Sequence, residues 1–174
     1  MPDIVFRRLP EVDPAALIAL MNDPLVRRHM PLARGEFGPA ECARFVAAKE
    51  RHWAAHGYGP WAFVIDGAVI GWGGLQPEEG DVDLGIVLHP SRWGAGRAIL
   101  ARLLCEAFEG LGAPSVIILL PPSRIRTSGV RRAGFVPDGE VTVVGERFLR
   151  FRCWAPEARS VASGHVPQRT APTA

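Results

Sequence analysis

Lysine and tyrosine are almost missing from this chain of 174 residues: Lys49 and Tyr58 are the sole examples. The lone lysine excludes the phosphate-binding loop of nucleoside triphosphatases. That loop needs Gly-Lys-Ser or Gly-Lys-Thr, and Lys49 lies far from the glycine-rich stretch. Cysteine is scarce as well. Cys42, Cys105 and Cys153 are odd in number, scattered and without metal-ligand spacing. They argue against a disulfide framework or a metal site and suit a reducing cytoplasm. No apolar run is long enough to span a membrane, and the opening residues lack a signal-peptide pattern. Excess charge is absent too: the formal net charge is +2, so nothing demands nucleic acid or a membrane as partner.

Apolar residues make up 48% of the chain, enough for a sizeable core, and the length suits one domain. That domain is expected over residues 1–155. After Trp154 the chain turns rich in Ala, Ser, Pro, Thr and Gly without periodicity, which predicts a disordered tail over 156–174.

The most informative stretch runs from Leu88 to Ala98. An apolar strand, Val82 to Leu88, meets Pro90, and the small residues Gly94, Ala95, Gly96 and Ala98 follow. Next comes an amphipathic helix, with Ile99, Leu100, Leu103, Leu104, Ala107, Phe108 and Leu111 at helical spacing. The first amides of such a helix lack partners and carry about half a positive charge, so they bind anions. The loop therefore reads as a pyrophosphate cradle. Its alternative is a tight strand-to-helix turn. Val116 to Leu120 then reads as a strand buried on both faces, parallel to the first. A dinucleotide fold would need an acid about 20 residues on to hold the ribose. Here the second strand ends in Leu120-Pro121-Pro122-Ser123 instead.

Elsewhere, Ile4 to Leu9 reads as a strand. Asp13-Pro14 starts a helix that Asp23-Pro24 breaks, and Pro39 opens a second helix that Gly57 ends. Pro60–Ile65 and Ala68–Leu75 form a hairpin around Asp66-Gly67, and Glu79-Gly80 turns into the Asp83 strand. A short helix is expected from Ser123, its N-cap, to about Arg132. A final hairpin pairs Glu140–Val144 with Arg147–Cys153.

The residues from about 4 to 154 resemble the GNAT superfamily of acyl-CoA-dependent N-acetyltransferases. Its pyrophosphate motif is matched by Trp93 in first place, Gly96 in second and Ala98 in third. The Trp-Gly-x-Gly run, Asp83-Leu84-Gly85-Ile86, Arg131-Arg132-Ala133-Gly134-Phe135 and Asn22-Asp23-Pro24 resemble the branch containing the ribosomal-protein N-terminal acetyltransferases and some aminoglycoside acetyltransferases. The resemblance implies an α/β (α+β) fold: a mixed, mostly antiparallel sheet of about six or seven strands, with a splayed central parallel pair and about four helices. It implies acetyl-CoA as cosubstrate, with no metal. Gly94 to Ala98 would hold the diphosphate, flanked by Arg92 and Arg97, and Arg126 the 3′-phosphate. Ile86, Val87 and Leu88 would offer backbone to the pantetheine arm and an oxyanion donor. Gly85 is the expected site of a bulge that starts the splay.

Asp83 is the lone acid within an otherwise apolar strand. Burial raises a carboxyl's pKa, which suits a base for an ammonium group. It also matches the family's carboxylate position, and a structural acid at a strand start is the alternative. Family members often place a tyrosine acid where Val130 stands; Ser123 or Ser128 is then the candidate to protonate the leaving thiolate. His52 and His56 lack a third ligand and read as a solvated face. Trp61 and Trp72 flank one hairpin and are candidates for an acceptor pocket.

Three readings follow. The first is acetyl transfer to a primary amine on a peptide N-terminus or small molecule. The second is a polyamine or aminoglycoside acetyltransferase, for which Glu36, Glu41, Glu78, Glu79, Asp81 and Asp83 are the available acids. The third is a non-catalytic acyl-CoA-binding module. A homodimer is compatible with each.

Overall fold

The computed structural model describes residues 3–124 and 127–156. The expected tail lies outside them except for Pro156, and so does Arg126. In chain order the elements are β1 (Val5–Arg7), α1 (Pro14–Asn22), α2 (Pro24–Arg27), α3 (Pro39–His56), β2 (Pro60–Ile65), β3 (Ala68–Glu78) and β4 (Asp81–Leu88). Then come α4 (Gly96–Cys105), β5 (Ser115–Leu120), α5 (Ser128–Arg132), β6 (Val136–Val143) and β7 (Glu146–Trp154). The seven strands form one sheet in the order β1-β2-β3-β4-β5-β7-β6. Only β4 and β5 are parallel; every other neighbouring pair is antiparallel. This is the expected fold class.

Apolar periodicity puts a helical layer on each face. Against one face pack Ile99, Leu103 and Ala107 of the central helix with Leu84, Leu88, Val116 and Ile118. Against the other pack Leu17 of α1 and Cys42, Phe45 and Val46 of α3, with Leu9, Ala62 and Trp72 beneath. The central helix does not stay regular, since residues 106–110 widen into a π turn before Gly112. No helix among the described residues is long and apolar enough to cross a membrane.

Three hairpins close through two-residue turns with both residues left-handed: Asp66-Gly67, Glu79-Gly80 and Val144-Gly145. Such turns match the twist of paired strands. Between β3 and β4 the register is continuous from Gly71–Leu88 to Glu78–Asp81, so the bulge expected at Gly85 does not form there. The glycines of β3 account for this. A Cβ on Gly71 would strike the carbonyl oxygen of Val87, and one on Gly73 that of Gly85. With no side chain at Gly71 and Gly73, β3 lies close against β4 at these positions. The divergence occurs on the other edge, where β4 and β5 are in register only at Asp83 and Ile117.

The short helix starts later than expected. Thr127 is its N-cap and Ser128 its first residue. Ser123 is instead in a turn after Pro121-Pro122, and its hydroxyl donates to the carbonyl of Arg28 at 3.4 Å. That contact ties the end of β5 to the segment after α2.

Candidate active site

Where β4 and β5 part, a cavity of about 840 Å³ opens. Leu84, Ile86, Val87 and Leu88 form one wall, with Ile118 and Leu120 across the gap. The floor is α4, through Arg97, Leu100 and Leu104. Val130, Arg132 and Ala133 of α5 close one side, and Leu25, Val26, His29 and Met30 the other. A bed of apolar groups with a few cationic ones suits a long, partly apolar, anionic ligand.

The glycine stretch stands at the mouth but differs from the expected open loop. Residues Pro90–Ala95 coil into a 3-10 helix that runs straight into α4. The Gly96 amide donates to the carbonyl of Trp93 and so is already partnered. Pro90 favours this coiling because its fixed φ suits a first helical position. Trp93, Gly94, Gly96 and Arg97 line the cavity; Ala95, Ala98 and Arg92 do not. A Cβ on Gly94 meets nothing within 4 Å, and one on Gly96 meets only Leu88 Cδ1, at 3.4 Å. Small residues thus leave backbone open to a ligand. Trp93 is half exposed, and its indole N–H donates to the carbonyl of Leu88 at 3.2 Å, which ends β4.

Two further arginine-bearing positions face the cavity, Arg124 and Arg132. Together with Arg97 they give it a cationic rim. The sequence reading passed over Arg124, and saw Arg132 only as part of a helix ending. Asp23-Pro24 reads in the sequence as a break after the first helix and as part of the family resemblance. Asp23 in fact accepts hydrogen bonds from the amides of Leu25 and Val26 and starts α2. An Asp followed by Pro is a helix-start signal, so this element was readable. It brings His29 to the cavity, with Nδ1 3.2 Å from Ser123 Oγ. Burial, then the charges of Arg124 and Arg28, lower the pKa of His29, which favours the neutral ring. Ser123 is exposed.

Asp83 lies at the last paired position before the strands part, with only 7% of its surface exposed. It does not line the large cavity. Its side chain is on the α3 side of the sheet, where Oδ2 accepts from Gln76 Nε2 at 3.1 Å and Oδ1 has no partner among the described residues. Burial pushes its pKa up to about 6, against the hydrogen bond from Gln76; Glu78 raises it further, while Lys49 and the Leu84 amide lower it. Gln76 Oε1 in turn accepts from Lys49 Nζ at 3.3 Å. Lys49, Gln76, Gly85 and Trp72 line a second, small cavity of about 80 Å³. Trp72 thus lines a cavity. Trp61 does not: its indole N–H donates to Glu106, away from this pocket. Val130 faces the large cavity, so the position where the family resemblance implies a tyrosine acid is apolar here. Tyr58 packs on His52 and His56 instead. No group of three or more possible metal ligands occurs among the described residues.

A family model for the acetyltransferase (GNAT) domain matches residues 3–133. An acetyltransferase from Agrobacterium tumefaciens superposes with a TM-score of 0.69 at 22% identity, over 87% of this chain and 91% of that one. A spermidine N-acetyltransferase from Vibrio cholerae, solved with CoA and spermine, gives 0.71 at 14% identity, over 90% of this chain and 98% of that one. At these identities the two structures speak for the fold. The domain match speaks for the family: this chain belongs to the GNAT acetyltransferases.

Proposed function

We propose that the protein transfers an acetyl group from acetyl-CoA directly to a primary amine, with a peptide N-terminus or a singly charged small molecule as acceptor. The observation that carries this is the cavity between the diverging strands, with open glycines and arginines at its rim. Its residues fit the cosubstrate: Gly94 and Gly96 leave room for a diphosphate, and Arg97, Arg124 and Arg132 supply charge for phosphates. The backbone along the parted edge of β4, beyond its pairing with β5 at Asp83, suits a pantetheine arm and a developing oxyanion.

Bound acetyl-CoA supplies the thioester carbonyl that the amine attacks. The remaining work falls to the chain. Asp83 takes the proton of the acceptor ammonium through its unpartnered Oδ1, and the small cavity beside Lys49 and Trp72 is the acceptor's approach. Ser123, exposed beside His29, is the candidate to relay a proton from water to the departing thiolate, its hydroxyl leaving the Arg28 carbonyl to do so. Holding two reactants together supplies much of the rate, which offsets the lost tyrosine.

Charge favours a singly charged acceptor over a polyamine or aminoglycoside. Of the acids available for a polycation, Glu41 binds Arg44 and caps α3 at Gly38, and Asp81 is held by Arg152. Glu78 and Glu79 stand at the β3–β4 turn, at the end of β4 away from the splay. The resemblance of the Trp-Gly-x-Gly run to the ribosomal-protein N-terminal acetyltransferases supports the peptide acceptor, and cysteines few and odd in number support work in a reducing cytoplasm. Free-thiol release from acetyl-CoA against a panel of peptides, monoamines, spermidine and aminoglycosides tests the reading. Faster turnover of peptides and monoamines is expected. Turnover confined to polycations, or to none of them despite tight CoA binding, would overturn it.

A further inference from the structure

The chain's one lysine is spent where a solvated surface would not need it. Lys49 projects from α3 toward the sheet, with Nζ 5.7 Å from the ring centre of Phe45 and 5.6 Å from that of Trp72. Its polar partner there is Gln76 Oε1. An ammonium has donors and no acceptor, so the carbonyl end of Gln76 must face it. The amide end is thereby turned to Asp83 Oδ2. The opposite rotamer would set two donors against each other at Lys49 and two acceptors at an ionised Asp83. Three side chains from three elements thus form one directed chain, and Asp83 receives from it the one side-chain hydrogen bond it has.

We propose that Lys49 is a positioning residue for acetyl transfer: through Gln76 it fixes the hydrogen bond that Asp83 receives, and so keeps that buried carboxylate ready to take the acceptor's proton. The claim rests on Asp83 being the base. The chain opposes the cost of burying a charge, because both the amide donor and the nearby cation favour the ionised carboxylate. Other charged groups act on the same members. Glu78 from the end of β3 works against ionisation of Asp83, and His52, one turn along α3, feels Lys49. On the β5 side the neighbour of Asp83 is Ile117, which carries no charge.

The chain makes a directional prediction. Lys49→Met keeps the length and apolar stem but frees the Gln76 amide to turn. The acidic limb of the kcat/KM profile should move upward by roughly one pH unit, and activity at its original midpoint should fall about fivefold. At high pH the loss should largely disappear. Gln76→Leu should act in the same direction, and Lys49→Arg should restore most of the profile. A structural role alone would lower activity evenly across pH. Carboxyl NMR of the free protein reads Asp83 without catalysis. An upward shift of its titration in folded Lys49→Met or Gln76→Leu protein supports the chain, and an unmoved titration in both overturns it. A shifted titration with an unshifted rate profile keeps the Lys49–Gln76–Asp83 link but removes Asp83 from the reaction, so the base assignment fails separately.

Discussion

Arg152 and Asp81 meet in a two-pronged ion pair, Nη1 to Oδ1 at 2.5 Å and Nη2 to Oδ2 at 3.0 Å. Arg152 comes from β7 and Asp81 from the first residue of β4. The same guanidinium donates to Ser115 Oγ, on the first residue of β5, at 2.8 Å, and to Asp138 Oδ2 at 2.8 Å. One side chain thus clasps the starts of both parallel strands, while their other ends part.

Removing the clasp should destabilise the protein without touching the glycine stretch. Arg152→Met is expected to cost about 1–2 kcal/mol, because it leaves the partly buried Asp81 without its ion-pair partner, while Asp138 keeps Arg150. Urea denaturation measures this. The pair holds the Asp81 carboxyl below its usual range, chiefly through the hydrogen bonds from Arg152. Its contribution is therefore full above the ordinary Asp pKa of about 4 and lost as pH falls through the lower folded value. Wild type and variant should converge in stability below that value.

Asp83→Asn should lower kcat/KM by about 10²-fold and remove the acidic limb centred near pH 6. The rate rises with pH through that limb because the carboxylate, not the acid, accepts the proton. The same substitution should stabilise the fold. A carboxyl whose pKa is raised on folding favours the native state below its unfolded value, and that advantage is lost as pH rises through about 6. At about pH 8 the neutral amide should therefore be more stable by roughly 1–3 kcal/mol, with little difference at about pH 4. Thermal melts at the two pH values check the sign.

Gly96→Glu should abolish CoA binding, since the new carboxylate enters the cavity where phosphates are expected. Gly96→Ala should keep the fold and most of the affinity, because its Cβ makes only an ordinary contact with Leu88. Calorimetric titration with CoA compares the two. Equal affinity in both would place the diphosphate elsewhere.

Val144 is a branched residue with φ of 49°, and it is 79% exposed. Asn tolerates that conformation far better at the first position of this turn. Val144→Asn should raise stability by about 1 kcal/mol without changing turnover, as read from melting temperature and the thiol-release assay.

Much of the fold was legible because its cues are local. Asp66-Gly67 and Glu79-Gly80 announce turns, Pro14 and Pro39 announce helix starts, and the run from Val116 to Leu120 announces a strand covered on both faces. The open backbone at Gly94 and Gly96 followed from small residues between a strand and a helix, and the wall from Ile86 to Leu88 from the family resemblance. Two kinds of feature escaped. One is backbone choice at a boundary: Pro90 draws the glycine stretch into a 3-10 helix, and Ser123 spends its hydroxyl on Arg28 rather than on a cap. The other is long-range pairing. Nothing near Lys49 signals Gln76 and Asp83, because α3, β3 and β4 meet only in the folded sheet.

The sheet order also sets when the site comes into being. The chain from β2 to β4 needs only neighbouring hairpins, which close quickly. By contrast β7, the last strand made, slots between β5 and the earlier β6, and it carries the arginine that joins the two parallel strands. A growing chain that has emerged only to β5 therefore lacks the clasp and the neighbour of one cavity wall. Acetyl-CoA is expected to find a formed site only after the final strand leaves the ribosome, so the cosubstrate stabilises the finished enzyme and cannot help the nascent one fold.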